Sequence, residues 1–258
     1  MPQTLPRSLK HEYELYVERE IENYKDSVPR TVLLSIGDEA VRLMSGRAQF
    51  ELTELVLVEE VDRIIMQRLR IPSYGTWRRR RLRMLEKYRK PEHWGLAPNA
   101  ALVRAIRPAA EAHVLVAGTP KVEETALYLA AHGCEVTALE QEEDVVERVM
   151  TAASAVGLTG LVHGCVSDLS DYRPQAPLTA VVCTPAAFAG LTSEERARVI
   201  DVLQSATRNG GVHLVETVGA NHAGVTLDEL RSSYLGWDVS VERGLGSDRT
   251  FLARKSVA

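Results

Sequence analysis

The chain has 258 residues, of which 45% are hydrophobic, and its formal net charge at pH 7 is -4. This length allows one large domain, or one domain with an added extension. No apolar run approaches the roughly 18 residues that a membrane span needs, and the start of the chain lacks a secretory hydrophobic segment. We therefore expect a soluble, cytoplasmic protein. Its three cysteines show no C-x-x-C spacing, so neither a disulfide framework nor a metal site is predicted.

The charged residues are distributed unevenly along the chain. Residues 10–62 carry 13 acids and 6 bases, whereas residues 63–90 carry 11 bases and a single acid, Glu86. A block of one sign needs a polyanion, an acidic protein surface or solvent opposite it.

The first part of the sequence predicts helices over residues 11–24, 32–42 and 51–69. In the first of these, tyrosine and aliphatic residues recur at helical spacing among glutamates, for example at Tyr13 and Tyr16. We expect this tyrosine-rich face to pack on the body of the protein. A lid over a ligand is the alternative.

A further helix is predicted to begin near Thr76, and its narrow apolar stripe leaves arginines around most of the circumference. Guanidinium groups suit phosphate, so one interpretation is a contact between residues 63–90 and a nucleic acid or another anion. The other interpretation is a solvated helix whose arginines meet acidic residues of the same chain. The candidate contact residues are Arg78, Arg79, Arg80 and Arg81.

Residues 113–141 carry the clearest pattern in the sequence. An apolar strand ends at Ala117, Gly118 opens a turn, an amphipathic helix follows, and a second strand ends in Glu140. This is a β-α-β unit with a carboxylate 22 residues after the turn glycine, the spacing at which an acid can reach a ribose hydroxyl.

The remaining sequence continues the alternation of strands and helices. Alternation indicates a parallel sheet, and two final strands separated by a short turn indicate an antiparallel edge. The predicted fold class is α/β: a Rossmann-like, mostly parallel seven-stranded sheet with an antiparallel C-terminal edge and an N-terminal helical extension. Helices are expected over residues 144–156, 192–206 and 227–233, and strands over 161–166, 179–183, 212–218, 237–242 and 250–254.

Four stretches between about residues 94 and 255 form a recognisable set: HWGLAPNAALVRAI, VLVAGTPKVEETALYLAAHGCEVTALEQ, NGGVHLVET, and LDELRSSYLGWDVSVERGL followed by FLARK. They resemble the class I S-adenosylmethionine-dependent methyltransferases, and within them the tellurite-resistance (TehB-like) group. We therefore divide the chain into a helical region over residues 1–92 and a methyltransferase-like domain over residues 93–258.

This resemblance implies S-adenosylmethionine as the cofactor. By position, it places the turn after the first strand against the methionine portion, Glu140 on the ribose hydroxyls, and Asp168 with Leu169 beside the adenine. Cys183 and Thr184 would line the pocket where the donor methyl meets its acceptor. The residues expected to contact the cofactor are Trp94, Gly118, Thr119, Glu140, Gln141, Asp168, Leu169, Cys183 and Thr184.

The sequence departs from the family's pattern at two places. Val116 occupies the position of an acid in the first strand, so the cofactor's ammonium loses an expected partner. The loop reads Gly118-Thr119-Pro120-Lys121 instead of containing G-x-G, and a proline removes one amide donor and fixes φ. Lys121 is a candidate contact for the cofactor's carboxylate.

The first hypothesis is transfer of a methyl group to a nucleophile on a small molecule or a nucleic acid. It needs no obvious base, because methyl transfer can proceed largely through alignment, and no catalytic residue is assigned. The alternative is a catalytically silent methyltransferase-like module that binds nucleic acid or a protein partner through its Arg-rich helix. A nicotinamide-dinucleotide enzyme is a third hypothesis, which the missing G-x-G-x-x-G disfavours.

Overall fold

The computed structural model describes residues 8–45, 54–106, 111–218, 224–243 and 249–256. The chain divides into two compact units, Met1–Met84 and Leu85–Ala258. The division falls inside one helix, Tyr74–Tyr88, and the boundary predicted between residues 92 and 93 follows that helix.

The first unit is helical. It contains α1 (Leu9–Ser27), α2 (Arg30–Ser45), α3 (Glu54–Arg68) and most of α4 (Tyr74–Tyr88). The Ser8 side chain caps α1 by accepting a hydrogen bond from the His11 amide. One small core of aliphatic side chains holds α1, α2 and α3 together: Ile21, Ile36, Ala40, Ile64 and Ile65.

The predicted helices of this unit are present, and the first two are longer than the sequence indicated. The start of the helix expected over 51–69 lies partly outside the described residues. The tyrosine-rich face of α1 packs against α4: the Tyr13 ring lies 5.5 Å from the rings of both Tyr74 and Trp77, and its hydroxyl donates to the Pro72 carbonyl at 2.9 Å. The Tyr13 side chain therefore makes these contacts within the first unit.

A mixed β-sheet forms the centre of the second unit. Its described strands are β1 (His113–Ala117), β2 (Glu135–Glu140), β3 (Val162–Val166), β4 (Leu178–Cys183), β5 (Thr207–Val218), β6 (Trp237–Arg243) and β7 (Arg249–Lys255). The order across the sheet is β3-β2-β1-β4-β5-β7-β6. β1 to β5 pair in parallel, and β7 is antiparallel to both β5 and β6. The predicted fold class is confirmed; the turn expected near residues 244–247 lies outside the described residues.

Helices cover both faces of this sheet. The described helices of the unit are α5 (Ala101–Ala105), α6 (Val122–Ala131), α7 (Glu143–Ala155), α8 (Ser193–Ala206) and α9 (Leu227–Ser233). Side chains of α5, α6 and α7 pack into a first core and those of α8 and α9 into a second. β1 and β4 are buried along most of their length, and their sequences are nearly continuous apolar runs, as is usual for central parallel strands.

Capping boxes fix the starts of α8 and α9. Thr192 and Glu195 exchange side-chain and backbone hydrogen bonds at the start of α8, and Thr226 and Glu229 do the same for α9.

None of the helices in the described ranges is long and apolar enough to cross a membrane.

The α8–β5 boundary differs from the prediction. The helix ends at Ala206, where it was expected to end, but the strand was expected to begin at Val212, whereas β5 begins at Thr207. A Cβ at Gly211 would collide with the Thr207 side chain. The glycine therefore allows a close approach inside the strand.

The second core contains a chain of polar groups around His213, which is 1% exposed. Thr207 Oγ1 lies 2.6 Å from the Leu203 carbonyl and 2.7 Å from His213 Nε2, and Tyr234 Oη lies 2.6 Å from His213 Nδ1. Since the threonine hydroxyl donates to the carbonyl, it accepts from Nε2–H, and Nδ1 accepts from the tyrosine. With a neutral imidazole, both ring nitrogens and both hydroxyls in this series have a hydrogen-bond partner.

Candidate functional site

A cleft of about 730 Å³ opens at the carboxyl ends of the strands in the second unit. It lies beside β1, where the strand order reverses: β2 and β3 lie to one side of β1, and β4 and β5 to the other. Ligands of open α/β sheets bind at such a switch point. Leu139, Val122 and Val145 contribute apolar side chains to its wall.

Gly118 forms the turn between β1 and the cleft. Its φ is +58°, and a Cβ built on it would lie 2.7 Å from the Ala187 nitrogen. Its amide donates to Glu140 Oε1 at 3.0 Å, and its carbonyl accepts a hydrogen bond from the Thr184 hydroxyl. The turn is thereby tied to the ends of both β2 and β4, and only glycine fits there without rearrangement.

Replacing Gly118 with alanine should lower the free energy of unfolding by about 1–3 kcal/mol, because the residue would be held in a left-handed conformation against neighbouring backbone. Urea denaturation measures this change. Gly160→Ala is the matched control, since no atom lies within 4 Å of a Cβ at that position. Equal stability losses in the two variants would contradict the close approach at Gly118.

Thr119 adds a polar group without a partner. The residue is 8% exposed and lines the cleft, and in the described part of the chain its Oγ1 has no hydrogen-bond partner. Buried hydroxyls are normally bonded. An unpaired hydroxyl at the wall of a cleft is therefore a candidate contact for a ligand.

Glu140 ends β2 at the cleft. Burial raises the pKa of its carboxyl, although hydrogen bonds from the Gly118 and Thr119 amides act in the opposite direction. A carboxylate offers about four acceptor positions. Two amides leave acceptor capacity for hydroxyl groups of a ligand.

The next part of the wall comes from the ends of β2 and β3. Gln141 Nε2 donates to Asp168 Oδ1 at 2.5 Å. Gln141 lines the cleft together with Ser167 and the buried Leu169, whereas Asp168 is exposed and does not line the cleft. Asp168 therefore orients Gln141 instead of facing the cleft itself.

Besides Asp168, two residues predicted to contact the cofactor, Trp94 and Cys183, do not line the cleft. Trp94 donates its indole N–H to the Tyr88 carbonyl at 2.6 Å and packs on the first core. Cys183 is 2% exposed in the second core, and burial raises the pKa of its thiol to about 12. The side chain of Trp94 is half-buried, whereas that of Cys183 is almost fully buried.

The structure also adds residues that the sequence did not single out. They cap or lie in α7, follow β3 or β4, or lie near the end of β5, and they are Glu142, Arg148, Ser167, Pro185, Ala186, Ala187, Ala189 and Thr217. The positions after β4 could have been found from the rule that loops at strand carboxyl ends form the site. Thr217 could not have been found, because it has a left-handed backbone conformation, with a φ of +56°, that a β-branched residue does not predict.

The predicted anion-contact residues belong to the first unit. Arg78, Arg79 and Arg80 are exposed on α4, whereas Arg81 forms an ion pair with Glu12 of α1 at 3.3 Å. The pair agrees with the interpretation in which α4 meets the acidic first helix. Contact of the exposed arginines with a nucleic acid stays a prediction.

No protein-family model matches the sequence, and no curated protein matches it. Solved structures do. TehB from Haemophilus influenzae is 20% identical, the match covers 67% of each chain, and the TM-score is 0.53. A SAM-dependent methyltransferase from Methanosarcina mazei is 14% identical, with 60% of this chain and 96% of that chain covered and a TM-score of 0.49. One from Thiobacillus denitrificans, solved with S-adenosyl-L-homocysteine, is 22% identical, with 60% and 71% covered and a TM-score of 0.42.

Strand order, antiparallel edge and position of the cleft together define the class I methyltransferase fold, which this chain has. TehB, to whose group the sequence bears a resemblance, is among the proteins that share this fold.

Proposed function

We propose that the protein is an S-adenosylmethionine-dependent methyltransferase that acts on a nucleophile of a small molecule or a nucleic acid. The observation that carries the proposal is Glu140: it ends β2 at the cleft and is hydrogen-bonded to the turn glycine of β1. Similarity to TehB supports the fold on which this site is built.

The residues of the cleft fit the adenosine half of the cofactor. Glu140 retains acceptor positions for two ribose hydroxyls. Leu139, Leu169 and Val145 offer apolar surface to a purine, and Gln141 adds polar groups for its edge. Since Asp168 accepts from the Gln141 amide nitrogen, it leaves the amide oxygen available as an acceptor.

The loop of residues 118–121 fits the other half of the cofactor in an altered form. Pro120 supplies no amide, and Val116 is 0% exposed and apolar. Thr119 supplies the unpaired hydroxyl described above. The resemblance therefore accounts for the adenosine contacts better than for those of the amino-acid end.

When bound, the cofactor supplies a methyl group activated by its sulfonium. The protein's residues bind and orient: Glu140 fixes the sugar, while the loop from Thr184 to Ala187 closes the cleft beside Gly118. Alignment of this kind supplies much of the rate in a displacement reaction. The buried thiol of Cys183 takes no part in the proposal as a nucleophile, because its raised pKa keeps it protonated.

Isothermal titration calorimetry with S-adenosylhomocysteine tests the proposal. We expect binding in the micromolar range to the full chain and no comparable heat with NADH. Absence of both heat and thermal shift at saturating S-adenosylhomocysteine would overturn the methyltransferase proposal, whereas tight binding of NADH alone would favour the nicotinamide hypothesis.

The proposal includes a cytoplasmic location. It is supported by Cys165 and Cys183, which are free thiols in the described part of the chain, as is usual in a reducing compartment.

A further inference from the structure

The end of β5 is irregular beside the cleft. The register between β5 and β7 shifts between Val215 and Val218, so Glu216 and Thr217 form a bulge. Thr217, which lines the cleft, has a φ of +56°. Bulges and left-handed β-branched residues are costly and concentrate at functional sites, so this bulge is a candidate binding element.

Strand register locates Glu216 relative to the turn. Ala117 of β1 pairs with Cys183 of β4, and Cys183 pairs with Val215 of β5. One residue further along each strand, Gly118, Thr184 and Glu216 come to the same level at the carboxyl edge. Glu216 therefore lies level with the turn that carries the cleft.

Alternation along β5 determines the face on which Glu216 lies. Leu214 packs in the first core with Val116, whereas Val215 packs in the second. Side chains alternate between faces, so Glu216 points to the same face of the sheet as Val116. This is the face on which the expected acid of β1 is missing.

Lys121, just before α6, is the cation that acts electrostatically on this carboxylate. Burial raises the pKa of the Glu216 carboxyl, and the Lys121 ammonium partly opposes this shift. Lys121 is exposed and donates to the Gly95 carbonyl at 3.2 Å. Within the described ranges no hydrogen-bond donor reaches Glu216, so its carboxylate retains its acceptor capacity.

We propose that Glu216 binds the ammonium group, and Lys121 the carboxylate, at the amino-acid end of S-adenosylmethionine. A zwitterion is best held by one acid and one base. Register and alternation place Glu216 at the level of the turn, on the face where Val116 supplies no charge. Lys121 lies at the N-cap of α6, three residues after Gly118. Thr119 adds a hydroxyl between the turn and Lys121. This inference rests on the proposed function.

The test compares two ligands by calorimetry on the full chain: S-adenosylhomocysteine, which has the amino-acid end, and 5′-methylthioadenosine, which lacks it. Glu216→Gln and Lys121→Met each remove a charge-assisted hydrogen bond to the amino-acid end of the ligand. Each substitution should therefore weaken S-adenosylhomocysteine binding about tenfold or more. Binding of 5′-methylthioadenosine should stay unchanged in both variants, which also shows that they are folded. Glu143→Gln, an exposed position at the start of α7, is the matched control.

The outcomes separate the two proposals. If the wild-type chain binds neither ligand, the proposed function fails. If it binds both and Glu216→Gln retains full affinity for S-adenosylhomocysteine, the proposed function stands and the role of Glu216 is wrong. An equal loss for both ligands in Glu216→Gln would also overturn this role, because it would indicate a general disturbance of the cleft.

Discussion

Substitution of Glu140 by alanine should weaken S-adenosylhomocysteine binding by about 100-fold or more. The variant removes the acceptors for two hydroxyls of the ligand, and hydrogen bonds to a charged group contribute about 1.5–3 kcal/mol each. It also leaves the Gly118 and Thr119 amides without the carboxylate that orients the turn. Calorimetry measures the loss directly.

Glu140→Gln separates binding from stability. The folded-state pKa of Glu140 is raised, so the folded protein binds more protons than the unfolded chain around that pKa, and the carboxyl's contribution to stability falls as pH rises through it. At neutral pH the ionised group therefore costs stability. We expect the glutamine variant to be as stable as the wild type or more so, yet to bind S-adenosylhomocysteine more weakly.

Two controls apply to the Glu140 variants. Glu142→Ala changes a neighbouring carboxylate that lines the same cleft but makes no bond to the turn, and it should change affinity much less. A Glu140→Ala variant that binds as tightly as the wild type would contradict the role of Glu140 in the proposed function. Circular dichroism establishes that each variant is folded.

Acidification from pH 7 to pH 5 should remove about 2 kcal/mol of stability through His213 alone. Burial lowers the pKa of His213 from 6.5 to about 3, with Lys255 as a second cause. Between these values the unfolded chain binds the proton and the folded chain does not, so stability falls as pH falls through that window. Each pH unit is worth about 1.4 kcal/mol.

Urea denaturation at pH 7, 6 and 5 measures this dependence. His213→Gln should be less stable at pH 7, because the series of hydrogen bonds from Tyr234 to the Leu203 carbonyl is interrupted. Its stability should fall less on acidification. His163→Gln, at an exposed position of β3, should retain the acid dependence of the wild type. Parallel curves for His213→Gln and the wild type would show that this imidazole does not remain neutral in the fold.

The sequence predicted the centre of the fold because its signals are local. An apolar run, a turn glycine, an amphipathic helix and a second apolar run all lie within residues 113–141, and the structure reproduces each of them. Glu140 followed from the same stretch. Gly118, Thr119, Gln141, Leu169 and Thr184 line the cleft as well.

Other parts of the site depend on information that one strand does not carry. A parallel strand that is buried on both faces has no alternation to show which face a side chain occupies, so Cys183 could not be assigned to the second core. Trp94 is held by the Tyr88 carbonyl, a contact that apolar pattern does not indicate. The bulge at Glu216 depends on pairing with β7, more than 30 residues further along the chain.

The hydrogen bonds of the turn affect how the cleft can bind a phosphate group. The amides of Gly118 and Thr119 are both directed to Glu140, and Pro120 has none. A phosphate bound at the start of a helix requires free backbone N–H groups, and here it would meet a carboxylate instead. The amides of Gly118 and Thr119 are therefore not available to a phosphate, and we expect the cleft to bind a nucleoside more readily than a nucleotide at this turn.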